Sequence, residues 1–337
     1  MARRSPVTID RGSPRPDSTG SAAPSDHRQF RIGSLRCRVT SDPHGYVELL
    51  TERYRATLEP CDDAVDPHEL VFEFCENTDR SPATTDRLIV ERTADGHRFV
   101  ADPVTVELIG RPDHRRLVVT VTNPALDREL LSFHFWIVVN RALLLLDRVM
   151  LHAAAFVVNE RVIVVCGDNG AGKSTLGVAF GLRGATLLSE DSVIATRRSA
   201  AFVVAGVSPQ MRVPRPTEDR LLPGRLLDRR ITEDGRNKRL VDADQLFDSR
   251  WGHDLPPDRI VFLRAGDRVA TRPLSRRDAL LRLIDNTRHS YRFAATGDIT
   301  DHLDLVTGFA AAVPAFEATR TTDLDDLDDL MELISAV

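Results

Sequence analysis

One short segment constrains this chain more than any other. The unbroken apolar run Val162-Ile163-Val164-Val165-Cys166 leads into Gly167-Asp168-Asn169-Gly170-Ala171-Gly172-Lys173-Ser174-Thr175. A helical pattern, Lys173–Arg183, follows and stops at Gly184. A short apolar run closed by a turn signal reads as a buried strand. Glycines let the backbone curl so that successive N–H groups face inward at an anion. The N-terminus of the following helix faces the same anion. Lys173 adds a cation, and Ser174 adds a hydroxyl able to ligate a divalent metal. Strand, loop and helix in that order predict an α/β fold around a triphosphate site. Every residue from Gly167 to Thr175 is a candidate contact.

Composition narrows the partners. The chain has 337 residues, 42% of them hydrophobic, enough for a large core or two domains. A net charge of −5 argues against a general nucleic-acid binder. Lysine and arginine total 45, yet the only lysines are Lys173 and Lys238. Arginine therefore carries little information here, and each lysine carries more. Cys37, Cys61, Cys75 and Cys166 form no CxxC pair, which fits a reduced, cytoplasmic setting. No signal peptide is expected, because no apolar core follows the arginine-rich start. The most apolar stretch, Phe133–Met150, is broken by His134, Asn140, Arg141 and Asp147, so no membrane span is expected.

Four regions follow along the chain. Residues 1–27, rich in Pro, Ser, Gly, Asp and Arg, read as a disordered tail. Residues 28–123 alternate with period two and read as a small α+β domain with an antiparallel sheet. Its strands include Leu70–Phe74, Val104–Ile109 and Leu117–Val121, with a hairpin about Asp95-Gly96 and a helix over Tyr46–Leu58. Its edges could accept a peptide strand as a docking module. Residues 124–149 read as a connecting helix, with Leu130, Phe133, Ile137 and Leu144 at helical spacing. Residues 150–337 hold the strand pair Met150–Val158 and Arg161–Cys166, the loop, and a strand Ala185–Leu188 that ends near the acids Glu190-Asp191. Further strands are expected at Ala201–Val207 and Arg259–Leu263. Helices are expected at Arg276–Asn286, Asp301–Val313 and Leu324–Ile334.

The string Asn169–Leu176 resembles the Walker A sequence of ABC transporter ATPases, but an LSGGQ-type signature and a downstream apolar strand ending in Asp-Glu are both missing. A second resemblance covers more residues. Leu151-His152-Ala153-Ala154-Ala155, the P-loop, and Arg183-Gly184-Ala185-Thr186-Leu187-Leu188-Ser189-Glu190-Asp191 resemble the catalytic domain of HPr kinase/phosphorylase and its relatives. That domain is similar to ATP-dependent phosphoenolpyruvate carboxykinase. The resemblance is strong over 150–192 and loose after it. It implies an HPr-kinase-like serine or hydroxyl kinase that uses ATP and Mg²⁺, with Asp191 as general base and Glu190 helping Ser174 with the metal. It also implies a place for His152 near the triphosphate; a strand-capping histidine reads equally well. Oligomers are common in that family. Glu190 stands where the family usually has Asp, and no second metal-binding Glu can be placed between Gly206 and Pro216. The N-terminal region differs from that of HPr kinase. The closer likeness is to relatives found beside peptide-modifying enzymes, whose acceptor is a hydroxyl of a peptide, protein or small molecule.

In Leu222–Leu240, Lys238 and Arg239 suit either a basic element closing over the phosphates or ordinary solvated loop charge. Two functions remain: a Mg-ATP-dependent kinase, or a nucleotide-binding regulator or slow ATPase with no phosphoacceptor.

Overall fold

A computed structural model describes residues 29–41, 46, 69–76, 89–93, 96–101, 104–110, 114–121, 136, 139–208, 210–226, 238–287 and 299–337. The tail 1–27 and most of the Tyr46–Leu58 helix lie outside the described residues.

The apolar run before the loop becomes strand β10 (Arg161–Cys166) at the centre of a six-stranded sheet. The sheet order is β11 (Thr186–Ser189), β9 (Ala153–Val158), β10, β16 (Arg259–Ala265), β18 (Ala315–Arg320), β17 (Ala270–Pro273). Strands β10, β16 and β18 run parallel, while β9, between β10 and β11, is antiparallel to both. The run is continuously apolar because both faces are covered. Val162, Val164 and Cys166 join one core, with Leu283 of helix α3 (Arg276–Asn286) and Leu305, Val306 and Phe309 of helix α4 (Ile299–Ala312). Ile163 and Val165 join the other, with Leu176 and Phe180 of helix α1 (Lys173–Leu182) and Leu330 and Ile334 of helix α5 (Leu327–Ala336). A three-stranded sheet, β13 (Ala201–Gly206), β12 (Val193–Arg198), β8 (Arg148–Leu151), contributes Val193, Ala195 and Val204 to the first core. The ribbon β14 (Gln210–Pro214) and β15 (Lys238–Asp242), with helix α2 (Arg215–Leu221), flanks the second.

The connecting helix does not reach residue 149: residues 139–144 are helical, Asp147 turns at a φ of 56°, and Arg148 already begins β8. Pairing of β8 with β12 captures the apolar Val149–Leu151 for a strand. The expected single strand Met150–Val158 is two strands in different sheets, and His152 stands at the break.

The N-terminal sheet is likewise mixed, not purely antiparallel. Its order is β1 (Gln29–Ile32), β2 (Leu35–Ser41), β3 (Glu69–Glu76), β7 (His114–Val121), β6 (Val104–Gly110), β5 (Gly96–Ala101), β4 (Ile89–Thr93). Strands β2 and β3, and β3 and β7, pair in parallel. Parallel neighbours require long connections, which residues 42–68 and the β4–β6 meander provide. Alternation reports a strand's faces and not its partner's direction. The β1–β2 hairpin abuts the other body, where the Arg31 guanidinium lies 4.0 Å from the centre of the Trp251 ring.

No helix among the described residues is long and apolar enough to cross a membrane.

Candidate functional site

The loop Gly167–Gly172 joins the C-terminal end of β10 to the N-terminus of α1. Gly172 caps α1 with a φ of 103°, no side chain caps the helix, and its first turn holds no acid. Helix N-termini left in that state favour an anion. Gly167 has a φ of 153°, and a β-carbon there would lie 2.5 Å from the Leu263 carbonyl oxygen. Only glycine allows β16 to approach the loop so closely.

Several groups hold this loop. Asn286, at the end of α3, accepts a hydrogen bond from the Gly167 amide at 2.9 Å and, through its carbonyl, one from the His152 amide at 2.7 Å. Arg320, at the end of β18, donates to the Ala171 carbonyl and, at 2.8 Å, to the Gly170 carbonyl. Buried Lys173 donates from Nζ to the carbonyls of Gly167 (2.6 Å) and Asp168 (3.2 Å), and Nζ lies 3.1 Å from His152 Nε2.

The structure brings the predicted acids to the same place. Strand β11 ends at Ser189, which delivers Glu190 and Asp191 beside α1. The Ser174 hydroxyl donates to Glu190 Oε1. Glu190 is buried and also accepts from the Arg212 amide at 3.3 Å. Burial chiefly, and then the neighbouring charge of Asp191, push its carboxyl above the ordinary range, against hydrogen bonds and charge from Ser174 and Arg212. Asp191 is more open, with Oδ1 3.4 Å from His152 Nδ1 and Oδ2 3.5 Å from the Arg212 guanidinium. His152 Nδ1 also lies 3.2 Å from the Asp191 carbonyl oxygen.

His152 Nδ1 faces two acceptors, the Asp191 carbonyl and carboxylate, and so carries a proton towards them. Nε2 also lies 3.2 Å from Asn169 Oδ1. Lys173, His152 and Asp191 thus form one chain of contacts, and Ser174 with Glu190 a second beside it.

Of the remaining loop residues, Thr175 lies 2.7 Å from the Thr217 hydroxyl of α2, while Asp168 and Asn169 face the open side. Lys238 and Arg239 lie on a strand, β15, and Arg239 ion-pairs at 3.2 Å with buried Glu218 of α2. Glu218 lies two residues beyond the stretch in which no acid could be placed. Sequence reasoning missed Asn286, Arg320 and the side-chain role of Arg212. Arginines give no signal in so arginine-rich a chain, and Asn286 shows only as the last residue of a predicted helix.

Just before the loop, Cys166 is fully buried, and burial pushes its thiol up to about 12 despite the charge of Lys173.

No protein-family model matches this chain, and no curated protein matches it. Among solved structures, it aligns with the HPr(Ser) kinase/phosphatase from Coxiella burnetii at 11% identity and a TM-score of 0.31, covering 56% of this chain and 94% of that one. The chain is a mixed α/β protein in which predicted site residues from three separate segments, His152, the loop and Glu190-Asp191, meet at one end of a multi-stranded sheet.

Proposed function

We propose that this chain is an ATP-dependent kinase that transfers the γ-phosphoryl group to a hydroxyl of a peptide, protein or small molecule. One observation carries the reading: Ser174 meets Glu190, and Lys173 reaches Asp191 through His152, where the N-terminus of α1 meets the ends of β10 and β11. Ligands in open α/β sheets sit at the carboxyl ends of the strands.

Each group has a task in that reaction. The loop amides and the α1 N-terminus hold the triphosphate. Lys173 exchanges the Gly167 and Asp168 carbonyls for phosphate oxygens, and His152 follows its ammonium. Ser174, Glu190 and Asp191 form a set of hard oxygen donors that suits Mg²⁺. Among the described residues no three His, Cys, Asp or Glu side chains gather as a metal site, so nucleotide oxygens and water must complete the coordination. When bound, Mg²⁺ supplies charge that neutralises phosphate oxygens and favours the ionised form of Glu190. The Asp191 carboxylate accepts the proton of the acceptor hydroxyl while its oxygen bonds to the γ-phosphorus and the bond to the bridging oxygen of ADP breaks.

Asp191→Asn should keep ATP binding and lose phosphoryl transfer by about 10²–10⁴-fold. Calorimetric ATP titration and product assays measure the two separately, and undiminished transfer would rule out Asp191 as base. A second reading has its own support: a regulator or slow ATPase without an acceptor. Asp191 faces both Arg212 and His152, so an acceptor hydroxyl must compete with both for the carboxylate. Mass spectrometry of candidate acceptors after incubation with ATP decides between them. A product heavier by one phosphoryl unit supports the kinase, and ADP release with every acceptor unmodified supports the rival.

A further inference from the structure

Two strands across the same sheet, a single buried carboxylate holds three arginines. Glu317 of β18 is 5% exposed and ion-pairs with Arg272 of β17 at 2.8 Å, with Arg264 of β16 at 3.4 Å, and with Arg282 of α3. The register puts these side chains on one face. Cys166 lies opposite Phe262, Phe262 opposite Glu317, and Glu317 opposite Arg272; Arg264 is two residues beyond Phe262 on the same strand. Arg282 approaches that face from the covering helix and lies 5.7 Å from the Phe262 ring centre.

Charge does not balance in this cluster. Three guanidiniums share one carboxylate, which leaves two positive charges over. Each guanidinium carries five N–H donors, far more than one carboxylate can accept. All the ion pairs of these arginines among the described residues end on Glu317. Arg264 and Arg272 are 58% and 57% exposed, so their remaining donors face solvent. Burial pushes the Glu317 carboxyl up, but hydrogen bonds and charge from Arg282 and Arg272 outweigh it and hold it below the usual range. The carboxylate therefore stays ionised and positions its arginines. Fixed, planar donor forks with surplus charge are how proteins take phosphate and carboxylate groups.

The location fits a ligand. Arg264 lies near the carboxyl end of β16, and Glu317 is level with Cys166 at the end of β10, two strand spacings (about 10 Å) across the sheet from it. The helix that presents Arg282 ends at Asn286, whose side chain donates to the Arg282 carbonyl and accepts from Gly167.

We propose that Arg264, Arg272 and Arg282, held by Glu317, form an anion site for a phosphate or carboxylate group, separate from the glycine-rich loop. On the kinase reading it anchors an acceptor that carries an anionic group besides its hydroxyl. The binding itself does not depend on that reading.

The test compares the full-length chain with the double variant Arg264→Gln/Arg272→Gln. Both arginines are more than half exposed, and Arg282 remains to pair Glu317, so the variant should fold; a thermal melt checks this. Calorimetric titration with inorganic phosphate and, separately, with succinate counts the sites. For at least one probe the variant should have one site fewer, or bind it at least tenfold more weakly. Loss of phosphate alone identifies a phosphoryl group as the ligand, and loss of succinate alone a carboxylate. Equal site numbers and affinities in both proteins, no binding by the wild type, or displacement by equimolar chloride would each overturn the proposal. Kinase assays on the same samples show separately whether phosphoryl transfer exists.

Discussion

Glycines of the loop region look alike in the sequence but answer to different neighbours. A methyl group at Gly167 would press against the Leu263 backbone carbonyl, which cannot swing aside. One at Gly170 would meet nothing within 4 Å, although its φ of 85° is strained for any other residue. Within α1, a methyl at Gly177 would touch the Phe156 ring at ordinary van der Waals distance, 3.4 Å. Urea unfolding of the three alanine variants should rank them accordingly. Gly177→Ala should gain about 0.5–1 kcal/mol from helix propensity. Gly170→Ala should lose about 1 kcal/mol, and Gly167→Ala about 3 kcal/mol, for strain and overlap together. If Gly167→Ala is as stable as Gly170→Ala, the close approach of β16 is wrong.

Helix α3 is where stability and site should come apart. Its N-terminus is capped by Ser275, whose hydroxyl accepts from the Asp278 amide at 3.1 Å. Its C-terminus carries Asn286, the tie to Gly167 and His152. Ser275→Ala should cost about 1 kcal/mol of stability and leave ATP affinity unchanged. Asn286→Ala should cost a similar amount, because a buried amide loses its partner, and should also weaken ATP binding. Paired unfolding and ATP titrations check this, and equal effects on affinity would refute the division. The bounds of α3 were legible to the residue, and so was the succession β10, loop, α1, because strong periodicity marks both. Strand β18 was not legible. Glu317 and Arg320 in Ala315–Arg320 argue against a buried strand until the arginines around Glu317 and the loop carbonyls beneath Arg320 are in place. The β14–β15 ribbon was missed because a two-stranded ribbon with one apolar face carries Arg212 and Lys238 on short segments. At the site, the loop, Glu190 and Asp191 were legible because they sit at informative spacing from one another, whereas His152 suited two readings equally well. Asn286, Arg212 and Arg320 arrive only through tertiary packing.

Across the molecule as a whole, acid sensitivity should have an identifiable source. His302 is fully buried on the inner face of α4, one turn before Leu305 and Val306, and burial lowers its pKa from 6.5 to about 4. The fold holds it neutral, whereas the unfolded chain takes up a proton near 6.5. Its contribution is therefore complete above pH 6.5 and is lost as pH falls from there towards 4. The loss should reach about 3 kcal/mol. Urea midpoints at pH 7 and pH 4 should show that much less acid destabilisation for His302→Leu than for the wild type. An identical pH dependence in both would exclude the histidine as the cause.

The buried thiol of Cys166 turns the strand that feeds the loop into its own reporter. A group held near 12 is almost wholly protonated at neutral pH, and only a thiolate attacks an alkylating reagent. Cys166 is therefore chemically silent while β10 is paired on both sides. Its labelling rate, read by peptide mass spectrometry, then counts the moments when the central sheet opens. A ligand that grips the loop should slow that clock by the factor with which it disfavours opening.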